Sequence, residues 1–308
     1  MVEQTCDLKI HKIFGMQPPP PVAVLRGHQA SVTSICFIPD RIASCSNKCE
    51  LHLWDIKTRR IMKTFHKMEE GDDGFLRVVA NDSTIFANTR LGRIFAYDFE
   101  GNVKNEVNTN LSCGFAGCRL LGTDLWFADA FNGRLMIFDI RDGSTFPGAD
   151  FKNHGMIMDI SVYNEFVGVA LEDSTVAVFD SRNTAMPFWT NEMKLSDPII
   201  SIASVNENRC IVGSSQKEVY DVTAGGKSVL YQMPHAGVDD ITVRCDGKIW
   251  ATAGWDGRVR LFDAKKGKPL AVLKHHRGGI HSVAFADDGL LASGGDDRGI
   301  ALWSLYRK

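Results

Sequence analysis

The sequence has little net charge, no long apolar run and no basic leader, and each absence argues against a class of protein. Its 35 lysines and arginines nearly balance its 37 aspartates and glutamates, whereas general nucleic-acid-binding proteins carry an excess of positive charge. No apolar stretch reaches the length that a membrane-spanning helix needs. Residues 1–6 lack a basic start followed by an apolar core, so we expect no secretory signal peptide.

Motifs of common enzymes and metal sites are also lacking. The chain has no nucleophile elbow, no Gly-rich phosphate loop that opens a helix, and no H-E-x-x-H helix. Of its eight cysteines, only Cys45 with Cys49 and Cys113 with Cys118 lie close together in sequence, without a second pair at zinc-finger spacing. We therefore expect no enzymatic activity and no cofactor, and buried reduced thiols in a cytoplasmic and nuclear protein.

What the sequence does contain is a short pattern that returns along the chain. Residues 251–263 read as an extended run, a tight turn at Trp255-Asp256-Gly257 and an alternating strand that ends in an aromatic residue and an acid. A period of roughly 40–45 residues with such endings is typical of four-stranded β-propeller blades. Seven markers, spaced by 41 to 43 residues, therefore predict an all-β, seven-bladed propeller; they are Trp54-Asp55, Tyr97-Asp98, Phe138-Asp139, Phe179-Asp180, Tyr220-Asp221, Phe262-Asp263 and Trp303-Ser304.

The two ends of the chain indicate how this ring closes. Residues 22–25 form an apolar extended run before the first blade, and the seventh blade reaches only its third strand, at residues 300–305. We predict that residues 22–25 supply the outer strand of blade seven, which would pair an otherwise free edge. This gives a propeller over residues 22–308 and an irregular segment over residues 1–21, whose proline run is interpreted as an extended spacer.

The repeat resembles that of the WD-repeat family, whose second hallmark is a Gly-His pair before the first strand, here Gly27-His28. The resemblance implies hydrogen-bonded sets of a His, a Ser or Thr, a turn Asp and a Trp. In blade one, Lys48 stands where the Asp belongs. Blade six is expected to build only a triad, because Phe262 cannot form a hydrogen bond. We interpret these residues as structural, holding the strands of a blade together. The sets are His235, Thr252, Asp256 and Phe262 in blade six, and His276, Ser293, Asp297 and Trp303 in blade seven.

The turns between the second and third strands lie on one face in that family, and six of the seven carry a cation here. Trp255 lies among them and would suit a partner-binding hot spot. The alternative is that these turns are simply solvated. Our hypothesis of a partner-binding face names Trp255, Arg258, Arg298, Arg93, Arg134 and Lys48. An acidic loop at residues 67–74 is the next candidate, and the exposure of Phe188 and Trp189 is left open.

Five C-terminal stretches are very similar to the G-protein β-subunit-like protein 1 family, whose fungal members are called ASTRA-associated protein 1. The stretches are residues 248–262, 268–273, 283–285, 288–292 and 302–306. The resemblance implies a non-catalytic adaptor that works with the Tel2–Tti1–Tti2 co-chaperone assembly in maturation of phosphatidylinositol-3-kinase-related kinases, and with the chromatin-linked ASTRA complex in fungi. We expect a monomeric propeller that binds proteins, and neither nucleic acid nor membrane directly.

Two other function classes stay open. One is a generic WD-repeat scaffold, such as a ubiquitin-ligase substrate receptor or a chromatin-peptide reader. The other is an enzyme that uses the central channel. A heterotrimeric G-protein β subunit is not expected, because the segment before the propeller is short and has no heptads.

Overall fold

The chain folds into seven antiparallel sheets of four strands each, over the residues that the computed structural model describes, 19–66 and 73–305. The first strands of successive blades contact one another in ring order, and those of blades one and seven also meet. The predicted all-β, seven-bladed propeller is therefore confirmed. Besides strands, the described part contains one short 3₁₀ helix, Lys152–His154, and no helix in it is long and apolar enough to cross a membrane.

Each blade takes its strands in chain order from the channel outward, except that the first strand of the chain belongs to the last blade. Blade one comprises β2 (Val32–Ile38), β3 (Arg41–Ser46), β4 (Leu51–Asp55) and β5 (Arg60–His66), and blade two comprises β6 (Phe75–Ala80), β7 (Ile85–Thr89), β8 (Arg93–Tyr97) and β9 (Val103–Asn108). Blade three comprises β10 (Arg119–Leu121), β11 (Asp124–Asp129), β12 (Arg134–Asp139) and β13 (Thr145–Asp150), and blade four comprises β14 (Ile157–Tyr163), β15 (Phe166–Leu171), β16 (Thr175–Asp180) and β17 (Trp189–Glu192). Blade five comprises β18 (Ile199–Asn206), β19 (Arg209–Ser214), β20 (Glu218–Thr223) and β21 (Gly226–Gln232), and blade six comprises β22 (Val238–Val243), β23 (Ile249–Gly254), β24 (Arg258–Asp263) and β25 (Pro269–Lys274). Blade seven comprises β26 (Ile280–Phe285), β27 (Leu291–Gly295), β28 (Gly299–Trp303) and β1 (Ala23–Arg26).

The ring closes through the pairing of β1 with β28. The register places Ala23 opposite Leu302 and Arg26 opposite Gly299, and the backbone N–H of Val22 donates to the carbonyl of Leu302 at 2.8 Å. The predicted closing strand is thus confirmed, one residue further along than expected. The irregular segment over residues 1–21 stays a prediction, because residues 1–18 lie outside the described part.

The hydrophobic core lies between blades, because the side chains of a strand alternate between its two faces. Trp126 and Phe127, neighbours on β11, are both fully buried. Trp126 packs in a cluster with blade four, whereas Phe127 packs with residues of blade two. Of the aromatic pair after Pro187, Trp189 is buried and Phe188 is 55% exposed.

Most of the described cysteines are small core residues. Cys45, Cys113, Cys118 and Cys210 are buried free thiols, while Cys245 is exposed. Burial raises the pKa of the Cys45 thiol to about 12. A thiol held protonated in this way is a poor nucleophile, which agrees with a structural role.

A truncation that starts after Gly27 tests closure. Removing β1 leaves the edge of β28 without its partner and uncovers backbone groups that are now paired. We expect loss of the cooperative thermal transition followed by circular dichroism. Leu25→Ala, at a side chain only 1% exposed, should cost about 2–5 kcal/mol of unfolding free energy.

A truncation that starts at residue 19 is the control for chain shortening, since it keeps all of β1. Equal melting curves for the two truncated proteins would contradict the role given to β1.

Candidate protein-interaction face

Blade seven assembles its four predicted residues into one hydrogen-bonded set. Nδ1 of His276 lies 2.9 Å from Oδ1 of Asp297, and Nε2 lies 2.8 Å from Oγ of Ser293. The indole of Trp303 donates to the same Ser293 oxygen at 3.0 Å. The set ties the loop before β26 to β27, to the following turn and to β28, so its role is to hold the blade together.

Blade one builds an equivalent set with a different acid. Nδ1 of His28 lies 3.3 Å from Oε2 of Glu50, Nε2 lies 2.7 Å from Oγ of Ser44, and Trp54 donates to that oxygen at 2.8 Å. Lys48, at the position of the missing Asp, is exposed. A longer acidic side chain two residues further on thus does what the Asp would do.

The environment of Glu50 keeps it ionised. Burial alone would raise its pKa, but hydrogen bonds from His28, the backbone of Gln29 and the hydroxyl of Ser46 outweigh it and lower the pKa of Glu50 to about 2. The carboxylate therefore fastens the loop before β2 to the turn after β3. Among the described residues, the one group with metal-ligand spacing is His28, Glu50 and His52, and these hydrogen bonds account for the positions of His28 and Glu50.

Blade six departs from the expected triad. The carboxylate of Asp256 accepts two hydrogen bonds from the guanidinium of Arg260, at 3.0 and 2.5 Å, whereas His235 is exposed. Within the described chain, the buried hydroxyl of Thr252 has no hydrogen-bond partner. Phe262 stacks on an indole instead, that of Trp250, at 4.0 Å between ring centroids.

The physical reason for this correction lies in Phe262 and Arg260. Without an indole N–H at position 262, the hydroxyl of Thr252 receives no donor. The series of hydrogen bonds that would hold His235 in place is therefore not formed. Arg260 stands two residues before Phe262 on the same strand and offers Asp256 a bidentate charged partner, which is stronger than a neutral imidazole. A partial set survives in blade four, where Nδ1 of His154 lies 2.8 Å from Oδ2 of Asp173.

The turns between the second and third strands form what we call the turn face. It comprises residues 47–50, 90–92, 130–133, 172–174, 215–217, 255–257 and 296–298. Turns of different blades meet around the channel: Asn47 of blade one and Trp255 of blade six line the same cavity. The candidate partner-binding residues lie in these turns or begin the strand that follows.

The structure divides those cations into two groups. Arg93 forms an ion pair with Glu106 at 2.8 Å and Arg134 one with Asp150 at 3.2 Å, so both are neutralised by the outer strands of their own blades. The others form no ion pair within the described residues; they are Lys48, Arg90, Lys217, Arg258 and Arg298.

The acids near these turns have protein donors of their own. Asp256 is bonded to Arg260, Asp297 to His276 and Asp173 to His154. Cations without an ion pair therefore occur at five of the seven turns, while Glu172 in the turn of blade four is exposed and also forms no ion pair within the described residues.

Trp255 is exposed but held in place. Its side chain is 46% exposed, and its indole donates to Oδ1 of Asp239 at 3.2 Å. The ring lies on the backbone of Gly237, where an added Cβ would come within 2.1 Å of Trp255 Cδ2 and where φ is +92°. Any other residue at position 237 would displace the ring, so this glycine gives Trp255 a flat support.

His281 connects Asp239, which holds Trp255, to the turn of blade seven and, through Asp296, to blade one. Nδ1 of His281 lies 2.5 Å from Asp239 and Nε2 lies 2.8 Å from Asp296, which also accepts from the hydroxyl of Ser31 in blade one. An imidazole that donates from both nitrogens must carry a proton on each. The hydrogen bond to Asp239 is the main cause that raises the pKa of His281 to about 9, against the opposing effect of burial.

Four charged side chains cross the central channel between its two mouths. Arg119 donates to Asp159 at 3.0 Å. Arg77 lies 3.8 Å from Asp159 and 3.6 Å from Asp240, so it reaches from blade two towards blades four and six. This cluster separates a cavity of about 450 Å³ at the turn face from one of about 1020 Å³ at the opposite end.

Comparison with known proteins agrees with this architecture. Residues 19–55, 227–263 and 267–304 match the family described as WD domain, G-beta repeat. The chain contains WD repeats. The three matches fall in blades one, six and seven, with adjoining strands, and the remaining blades complete the ring with more divergent repeats.

Two relatives span almost the whole chain. The mouse guanine nucleotide-binding protein subunit beta-like protein 1 is 29% identical over 94% of this chain and 97% of its own length. The ASTRA-associated protein 1 of Schizosaccharomyces japonicus is 24% identical over 94% of this chain and all of its own length. A shorter match, 48% identical over 79 residues, is to the ASTRA-associated protein 1 of Schizosaccharomyces pombe.

Glu50→Ala tests the substitute acid of blade one. The change leaves His28 and the N–H of Gln29 without their acceptor, which should cost about 1–3 kcal/mol of unfolding free energy. Lys48→Ala, in the same turn but without these contacts, should stay within about 0.5 kcal/mol of wild type. Urea denaturation of both variants measures the difference, and equal losses would reject the role given to Glu50.

His281 predicts a pH dependence of stability. Its pKa is raised on folding, so its stabilising contribution is fully present below about pH 6.5 and is lost as the pH rises through about 9. Wild type should therefore exceed His281→Gln in unfolding free energy by more at pH 6 than at pH 10. His235→Gln, at an exposed ring, is the matched control. A difference that grows with pH would contradict the assigned charge state.

Proposed function

We propose that the protein is a non-catalytic adaptor that docks protein partners on its turn face. The observation that carries the proposal is Trp255, a large exposed aromatic side chain fixed by Gly237 and Asp239 next to cations without ion pairs. Aromatic and arginine side chains of this kind dominate the binding energy of many protein interfaces. A rigid ring that presents them in loops is a common form of binding surface.

The candidate residues carry different weight in this proposal. Trp255, Arg258, Arg298 and Lys48 have exposed or half-exposed side chains without ion pairs among the described residues, so they are the contacts we propose. Arg93 and Arg134 stay in the hypothesis only as peripheral positions, because a partner would have to compete with their own carboxylates.

The proposal of a non-catalytic role rests on what the polar groups already do. The histidines of blades one and seven and their acids are engaged in fastening strands, and the channel charges are paired with one another. These arrangements keep the groups in fixed hydrogen bonds rather than aiming a nucleophile and its base at an open site.

For the partner itself, the support is the likeness to relatives. Several fungal relatives carry the name ASTRA-associated protein 1. The name indicates that those proteins associate with an assembly. We propose partners of the Tel2–Tti1–Tti2 co-chaperone type, a role in maturation of phosphatidylinositol-3-kinase-related kinases, and a monomeric propeller in cytoplasm and nucleus. The acidic loop at residues 67–74 lies almost wholly outside the described residues and stays the alternative docking segment.

Affinity purification of a double variant tests the face. Trp255→Ala with Arg258→Glu should weaken partner binding by about 2 kcal/mol or more, roughly a thirtyfold change. Its melting temperature should fall only slightly, because both side chains lie at the surface of a turn. Arg258→Glu alone should mainly slow association and reduce its salt dependence.

Phe146→Ala is the control for loss of an exposed aromatic side chain, since Phe146 lies on an outer strand of blade three and is 42% exposed. Partner recovery at wild-type level by the double variant would retire the turn face. Recovery of cullin adaptors or histone tails in place of co-chaperone subunits would favour the generic scaffold.

A further inference from the structure

The turn face surrounds a cavity of about 450 Å³, which we call the turn-face mouth. It lies at the low end of the size range of small binding sites, roughly 300–1000 Å³. One half of its lining is apolar and comes mainly from blades two to five, and the other half is polar and comes from blades six, seven and one. The apolar side chains are Leu76, Phe115, Met158, Ile200 and, at the junction of the halves, Trp255.

The apolar half is open to solvent. Phe115 is 57% exposed and Trp255 is 46% exposed, while Met158 and Ile200 are half-buried around the channel. Aromatic surface that lines a concave site is a common mark of a place where another molecule binds. The lining therefore favours an apolar group as the occupant.

The floor of the mouth limits how much can enter. Arg77 crosses the channel beneath it, and its side chain passes against Gly117, where an added Cβ would lie 2.5 Å from Arg77 Nε. Its guanidinium lies within 4 Å of Asp159 and Asp240. Since this charged floor closes the channel, the mouth has depth for a side chain rather than for a threaded strand.

The charges around the mouth decide what flanks that side chain. Asp159 forms an ion pair with Arg119, and Asp239 shares the charge of His281 with Asp296. By contrast, the guanidinium of Arg90 lies over the ring of Phe115 at 5.2 Å without an ion pair in the described chain. Lys48, which follows Asn47 of the lining, likewise forms no ion pair in the described chain. Arg90 and Lys48 therefore offer cations without ion pairs beside the mouth, and these complement carboxylates.

We infer that the turn-face mouth receives one large apolar side chain, of the Leu, Met or Phe class, from an acidic segment of a protein partner. The inference rests on the proposed function, that the turn face docks proteins, and adds the chemistry of the segment that it recognises. The apolar side chain fills the half lined by Phe115 and Met158, and its acidic neighbours lie against Arg90, Lys48 and Arg298.

Synthetic peptides and a methyl label test this directly. The probes are short peptides of Asp, Glu and Ser with one central residue, which is Phe, Leu, Met, Ala or Lys. The readout is the ¹³C-methyl NMR signal of Met158 in the full chain, together with fluorescence polarisation. Peptides with Phe, Leu or Met should shift the Met158 signal and bind about tenfold or more tightly than the Ala peptide, because they bury an apolar side chain.

Two exposed phenylalanines of the turn-face end provide matched variants. Phe115→Ser should abolish the preference for an apolar central residue. Phe131→Ser, at a residue 82% exposed outside the cavity lining, should keep that preference. Lys48→Glu with Arg298→Glu should weaken all the acidic peptides by a similar factor, whatever the central residue.

Several outcomes would overturn the inference. They are an Ala or Lys peptide that binds as tightly as the Phe peptide, an unshifted Met158 signal at millimolar peptide, and an apolar preference that survives Phe115→Ser. Failure of the proposed function is read separately, from wild-type partner recovery by Trp255→Ala with Arg258→Glu. If that variant loses its partners while Phe115→Ser keeps them, docking on the turn face stands and insertion into the mouth is rejected.

Discussion

The antiparallel pairing of β1 with β28 is the contact on which the rest of the ring depends. Every blade buries its apolar faces against two neighbours, and a ring supplies two neighbours to each blade only when it is closed. The four residue pairs from Ala23–Leu302 to Arg26–Gly299 complete blade seven with a strand from the start of the chain. They also remove the free edge that β28 would otherwise present to other chains.

Once the ring is closed, polar ties between inner strands fix the spacing of the blades. Asp159 of blade four accepts from the backbone N–H of Ile202 in blade five at 3.1 Å, and Asp240 of blade six accepts from Val283 in blade seven at 3.0 Å. Burial raises the pKa of Asp240, and the charge of Arg77 opposes that rise. The same carboxylates therefore serve as ties between blades and as counter-ions for the arginines, which places a charged cluster across the channel.

The sequence predicted what depends on local pattern. The blade markers fix the number of blades, and the apolar run before Gly27 marks the closing strand. The hydrogen-bonded sets of the blades are harder to predict, because they depend on which side chain reaches a given atom across a turn. Counting positions along a blade overlooks Glu50, because this acid lies two residues past the expected place. The same counting includes His235 in blade six, although Phe262 lacks the N–H that completes the series of hydrogen bonds.

Residues that act across blades gave still weaker signals. Arg77, Asp159 and Asp240 lie on three different blades and meet only in the closed channel. His281 lies beside two acids that come from blade six and from the turn of its own blade. Nothing in their spacing along the chain indicates such contacts, since the distance between them is set by the radius of the ring.

At the turn face, acids and bases differ in how many contacts hold their side chains in place. At the turn face, carboxylates are used internally, as acceptors for His276, Arg260 and His281, because a buried or half-buried acid needs donors to stay ionised. Lysine and arginine have long side chains that reach solvent from the same turns without such support. The exposed cations are therefore less tied to other side chains than these acids, although Glu172, Asp173 and Asp296 are exposed as well. A chain with balanced acids and bases consequently presents exposed lysine and arginine side chains without ion pairs beside the mouth that Phe115 and Trp255 line, and a partner would meet these side chains rather than the average charge.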